Sequence, residues 1–98
     1  RHLAGADLVI TEEGRADRST VFDKAPVGVA RHAKAHSVPT VLLAGSLGEG
    51  HEELYQHGVA SILCISDGAM TFQQALSRTG TMLEGTAERA VRLFLLGP

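Results

Sequence analysis

The sequence predicts an α/β protein: a three-layer, Rossmann-like parallel sheet, present as a β-α-β-α-β-α piece of a larger domain. Three observations lead there. Short apolar runs rich in β-branched residues alternate with longer stretches of helical periodicity. None of those runs alternates apolar with polar residues, so both faces of each strand are expected to be covered. The length, 98 residues, fits one small domain or part of a larger one.

The first strand is read at Asp7-Leu8-Val9-Ile10-Thr11, the second at Thr40-Val41-Leu42-Leu43-Ala44 and the third at Ser61-Ile62-Leu63-Cys64-Ile65. Between the first two, a helix is predicted over 25–36, with Pro26 in its first turn, where proline is tolerated best. It presents Val27, Ala30 and Ala33 on one side, and the small Gly28, Ala30 and Ala33 allow a close approach to the sheet. A short helix is expected over 50–57, stopped by Gly58. The third helix begins at a capping box, Thr71 with Gln74. Phe72, Ala75, Leu76, Thr79, Leu83, Ala87, Ala90, Val91 and Phe94 recur behind it at helical spacing, and Gly97-Pro98 closes it. Gly80 and Gly85 each weaken its interior by about 1 kcal/mol relative to alanine and mark where it can kink.

Three parallel strands in simple order with right-handed crossovers would place every helix on one face. The other face, with residues such as Leu8, Val9 or Leu42, would stay wet, so further segments are expected to cover it. Residues 1–98 are therefore read as a single partial domain, and the first residue, Arg1, points the same way. Ligand crevices in such sheets form at the C-terminal ends of the strands. Here those loops are expected at 12–24, 45–50 and 66–70.

Composition removes several functions. Hydrophobic residues make up 44% and charged residues 20%, which is ordinary globular usage rather than disorder. A net charge of −2 and a pI of about 6.2 exclude a general nucleic-acid binder. One cysteine, Cys64, forms no internal disulfide and is expected to be a small core residue. No apolar run approaches a membrane span and no leader opens the chain, so a reducing, cytoplasmic setting is expected.

The 12–24 loop is long for a βα connection and concentrates Glu12, Glu13, Arg15, Asp17, Arg18, Asp23 and Lys24. Arginine and lysine beside carboxylates at a strand end suit an anionic substrate, with one carboxylate left for metal binding or proton abstraction. The bland alternative is a solvated loop whose charges pair with each other. Gly45-Ser46-Leu47-Gly48-Glu49-Gly50 follows a strand and opens a helix, so its N–H groups suit a phosphate or carboxylate. It is neither a Walker A loop nor a dinucleotide fingerprint, and a plain tight turn explains it equally well. His32, His36, His51 and His57 read as exposed helix positions; His51-Glu52-Glu53-Leu54-Tyr55 lacks the second histidine of a zinc-protease motif.

Ala6-Asp7-Leu8-Val9-Ile10-Thr11, Glu13-Gly14-Arg15 with Asp17, and Lys24-Ala25-Pro26-Val27-Gly28-Val29-Ala30 resemble the C-terminal part of the type-1 glycerate kinase family. Ala44-Gly45-Ser46, Glu53-Leu54-Tyr55 with Gly58, Asp67-Gly68-Ala69-Met70 and Gln74-Ala75-Leu76 extend the resemblance over essentially the whole chain. The resemblance implies a two-domain α/β kinase, several times longer, that transfers the γ-phosphoryl group of ATP to D-glycerate with Mg²⁺, usually giving 2-phosphoglycerate. It implies Arg15 on an anionic group, the glycerate carboxylate or a phosphate. Asp17 is then the base or Mg²⁺ partner and Lys24 a phosphate contact. Glu13 and Gly14 shape the loop, and Gly45 and Ser46 line the crevice. Its partners are D-glycerate, ATP and the remaining segments of its own chain, with oligomerisation left open. The segment alone is expected to be inactive. Glu12, Ser19 and Asp23 depart from the family's usual Gly, Gln and Gly, adding negative charge and removing two glycines that permit positive φ. Two rival readings stand beside this one: a non-catalytic α/β module binding an anion or a partner, and a divergent kinase for another small organic acid.

Overall fold

The computed structural model describes residues 8–97. Its sheet is organised around Thr40–Leu47 (β2), which is buried at Thr40, Leu42, Leu43 and Ala44. Such burial follows from pairing on both edges: Val9–Ala16 (β1) lies on one side and Val59–Cys64 (β3) on the other, all parallel.

Two strands run further than their apolar runs predict. β1 continues through Glu12, Glu13, Gly14 and Arg15, and β2 continues through Gly45 and Ser46. The extensions pair with each other: Glu13 with Ala44, Arg15 with Ser46, Ala16 with Leu47. Ladder hydrogen bonding to an adjacent strand outweighs the weak strand propensity of Glu and Gly. Glu13, Gly14, Arg15, Gly45 and Ser46 are therefore strand residues rather than loop residues. The shortened connection is mostly a 3₁₀ helix, Arg18–Phe22. β3 starts earlier than predicted, at Val59, and ends at Cys64. Asp7, the expected first strand residue, lies outside the described residues, as does Pro98.

Lys24–Ala35 (α1) and a second 3₁₀ helix, His51–His57, pack on one face of the sheet. Val27, Ala30 and Leu54 meet Leu42, Ala44, Val59 and Ile62 there. The second 3₁₀ helix stands where a short α-helix was expected, bounded by Gly50 and Gly58, both at positive φ. Phe72–Leu95 (α2) takes the opposite face, where Met82, Leu83 and Ala87 pack on Val41, Leu43, Leu63 and Ile65.

This corrects the expectation of a bare face. The crossover rule constrains only connections between parallel strands. α2 follows the last strand and closes no crossover, so residues 65–71 carry it to the other side and complete three layers. Leu42, expected on the wet side, is fully buried against the first face.

The Thr71–Gln74 capping box forms as predicted, with Gln74 N–H donating to Thr71 Oγ1 at 3.1 Å. α2 runs unbroken past Gly80 and Gly85. Its buried stripe is rotated from the predicted one: Met82, Thr86 and Ala90 are inside, whereas Phe72 and Leu76 are exposed. Cys64 is also exposed, a correction that follows from its place at the end of an edge strand. Among the described residues no helix is long and apolar enough to cross a membrane.

Candidate active site

The crevice expected at the C-terminal ends of the strands is present. It opens between the sheet and α2 as a cleft of about 660 Å³. Gly14, Gly45 and Ser46 line it from the sheet, Ile65, Ser66 and Gly68 from the segment after β3, and Met70, Ala75 and Leu76 from the approach to α2 and its first turns. A smaller pocket of about 250 Å³ shares Gly14 and Gly45 and adds Glu12, Glu13 and Leu43. Gly45 owes its identity to the neighbouring strand: a Cβ there would stand 2.6 Å from the Gly14 carbonyl oxygen.

Arg15 and Asp17 form a second group, where β1 leaves the sheet. Arg15 Nε donates to Asp17 Oδ2 at 3.2 Å. Asp17 also caps the first 3₁₀ helix: its Oδ1 accepts from Ser19 N at 2.9 Å and from Ser19 Oγ at 2.6 Å. In return Asp17 N donates to Thr20 Oγ1 at 3.0 Å. The Ser19 hydroxyl, with the Arg15 guanidinium behind it, holds the Asp17 carboxyl below its ordinary pKa. An ionised carboxylate of this kind is a strong charge partner and a weak proton acceptor.

Glu13 is shifted the other way. Partial burial and the facing Asp23 carboxylate raise its pKa. Asp23 precedes α1 with φ −79°, so the chain needs no glycine-like conformation there. Glu12 is likewise absent from the positive-φ residues. Lys24 opens α1 and forms no ion pair among the described residues. Of the residues singled out in the sequence, Gly14, Gly45 and Ser46 line the cleft, Glu13 joins Gly14 and Gly45 in the smaller pocket, and Arg15 pairs with Asp17 just beyond Gly14 along the chain. Lys24 lines neither pocket.

The 45–50 segment does not present a free row of N–H groups. Gly48 N–H donates to Ala16 O at 2.7 Å, and His51 N–H to Gly48 O at 3.3 Å. His51 and His57 are half-buried rather than exposed: His51 Nδ1 donates to Gly48 O at 2.9 Å, and His57 Nδ1 lies 3.0 Å from Arg31 Nη2. No group of three metal-ligating side chains exists among the described residues. Asp17 nonetheless keeps one lone-pair direction on Oδ2, which suits a cation held mainly by phosphate and water.

Sequence reasoning missed, among others, two ion pairs between residues far apart in the chain. Arg18 Nε meets Glu53 across the two 3₁₀ helices. Arg78 grips Asp67 with both guanidinium nitrogens, at 3.0 and 2.6 Å, which lowers the Asp67 pKa. Separations of 35 and 11 residues leave no local signal for either. The Asp17 cap, also not anticipated, does have a local signal, Asp17 standing three residues before Thr20.

Comparison with known proteins assigns this arrangement to a lineage. The model of the glycerate kinase family matches residues 1–95. The chain belongs to the glycerate kinase family. Among its relatives, a glycerate kinase of Bacillus subtilis is 43% identical over 84% of this chain. One of Halalkalibacterium halodurans is 42% identical over the same share. A glycerate 2-kinase of Escherichia coli is 35% identical over 76% of it. The chain spans 22% of the length of each of the first two and 19% of the third.

Proposed function

We propose that this chain is the C-terminal portion of an ATP-dependent glycerate kinase, a phosphotransferase acting on D-glycerate in the cytoplasm. The observation that carries the reading is an Arg15–Asp17 pair that follows the cleft-lining Gly14 in the chain, in a segment matched along residues 1–95 to that family. Phosphoryl transfer asks a protein mainly for positioning and charge neutralisation, and these residues offer both. Arg15, 60% exposed, turns an open guanidinium face toward an anionic group, the glycerate carboxylate or a phosphate. Asp17 fixes the arginine's direction and presents the remaining lone pair of Oδ2 to the Mg²⁺ that accompanies ATP. The depressed pKa of Asp17 favours that role over proton abstraction. Gly14, Gly45 and Ser46 form a floor on which a substrate backbone can lie close. Lys24, exposed at the start of α1 and outside the cleft lining, is left as a source of positive charge for a phosphate rather than a cleft residue.

The decisive experiment is ADP release by the full-length protein with MgATP and D-glycerate, beside Arg15→Ala and Asp17→Asn. Turnover in the wild type, reduced at least about 100-fold in each folded variant, is the expected result. Wild-type protein that is folded but inert toward glycerate and other small organic acids would make the segment a non-catalytic anion-binding module.

A further inference from the structure

We propose that Gly48 is a positioning residue: by carrying no side chain beneath the Arg15–Asp17 pair, it makes the segment after β2 the seat that fixes that pair. This rests on the reading of Arg15 and Asp17 as the ligand-facing groups. Three observations converge on it.

Gly48 is buried and its φ is not left-handed, so the backbone would accept any L-residue there. What the position excludes is a Cβ. One placed at Gly48 would stand 2.6 Å from Arg15 Nη2, 3.0 Å from Arg15 Cζ and 2.8 Å from Asp17 Cβ. The guanidinium end can swing aside at little cost. Asp17 Cβ cannot, because its backbone is committed to the 3₁₀ cap through Ser19 and Thr20.

The seat is also tied down on both sides of the pair. Gly48 N–H bonds Ala16 O at 2.7 Å, and Arg18 N–H bonds Glu49 O at 3.0 Å, so the bonds fall on the residues flanking Asp17. His51 Nδ1 holds the Gly48 carbonyl, and Glu53 pairs with Arg18. The glycines of this segment thus serve a neighbouring loop rather than a phosphate cradle. Gly48 acts through Arg15 and Asp17 and touches no substrate itself.

The test uses the full-length protein and a double-mutant cycle. Gly48→Ala is expected to lower kcat with MgATP and D-glycerate about tenfold or more while the protein stays folded. Because the added Cβ disturbs the two members of the pair together, the losses are expected to be sub-additive: Gly48→Ala costs clearly less in the Arg15→Ala background than in the wild type. Fully additive losses overturn the proposal. The crystal structure of Gly48→Ala gives a readout free of activity: the Arg15–Asp17 contact is expected to open beyond hydrogen-bond distance, and an unchanged contact overturns the proposal. Should Gly48→Ala fail to fold, Glu53→Gln loosens the same seat from the surface. It is expected to lower kcat about two- to fivefold with KM little changed; wild-type kcat in that variant overturns the proposal. Gly80→Ala, in open space on α2, is the control and should keep full activity. A wild type without turnover defeats the functional reading, and the geometry of Gly48→Ala still decides this one.

Discussion

The two faces of the sheet are built to different standards. On the α1 face, Ala30, Leu42, Ala44 and Leu54 are fully buried and the core is closed. On the α2 face, Leu43, Ile65 and Met82 are buried, but Phe72 remains 77% exposed and Leu76 60%. Connectivity accounts for the difference. The α1 face is enclosed by elements strung between parallel strands, whereas α2 touches the sheet mainly along β2 and stands away from it over the strands' C-terminal ends. The gap it leaves is the cleft. One face is closed by packing and the other keeps an open cleft.

The comparison breaks most directly in the cores. Leu42→Ala on the closed face is expected to destabilise by about 3–5 kcal/mol, and Met82→Ala on the open face by about 2 kcal/mol, because its cavity adjoins the cleft and can relax. Denaturant midpoints at unchanged slope measure both, and equal losses would mean that the faces are equally closed.

Gly58 sharpens the closed side. Its φ of +97° and the 3.1 Å between a built Cβ and Ala30 O mean that Gly58→Ala combines backbone strain with a contact against α1. A loss of about 1–3 kcal/mol is expected by the same measurement. Thr71→Ala removes the cap that starts α2 on the open side and is expected to cost about 1 kcal/mol.

Glu13 supplies a pH-dependent case. Its folded-state pKa is raised, so the folded protein binds that proton more tightly than the unfolded chain does. Stability from this group is present below the unfolded value, 4.5, and is lost as pH rises through the folded one. Glu13→Gln is therefore expected to stabilise slightly at pH 7, by no more than about 0.5 kcal/mol, with the gain vanishing near pH 4. A gain that grows toward acid would reverse the assignment. The smallest effect belongs to Leu76→Ser on the open face, expected within about 0.5 kcal/mol of wild type.

Element type was legible where local signals were strong. The capping box at Thr71, the stop at Gly58 and Pro26 in the first turn of α1 each act through the chain within a few residues. The candidate site was legible in composition but not in placement. Arg15 and Asp17 were visible as charges at a strand end. That Gly48 seats them was not, since that depends on a second segment some 30 residues away in the chain, whereas the Ser19 contact to Asp17 is local.

The sequence by itself determined the parallel α/β class, because buried strands and capped helices are written in short-range patterns, and its motifs carried the resemblance to the family. Only the tertiary structure decided how far β1 and β2 run, which face α2 takes and what Gly48 is for. Strand ends are set by the partner strand's backbone, and a terminal helix is freed from the crossover rule. The need for glycine arises from a side chain that folding brings alongside.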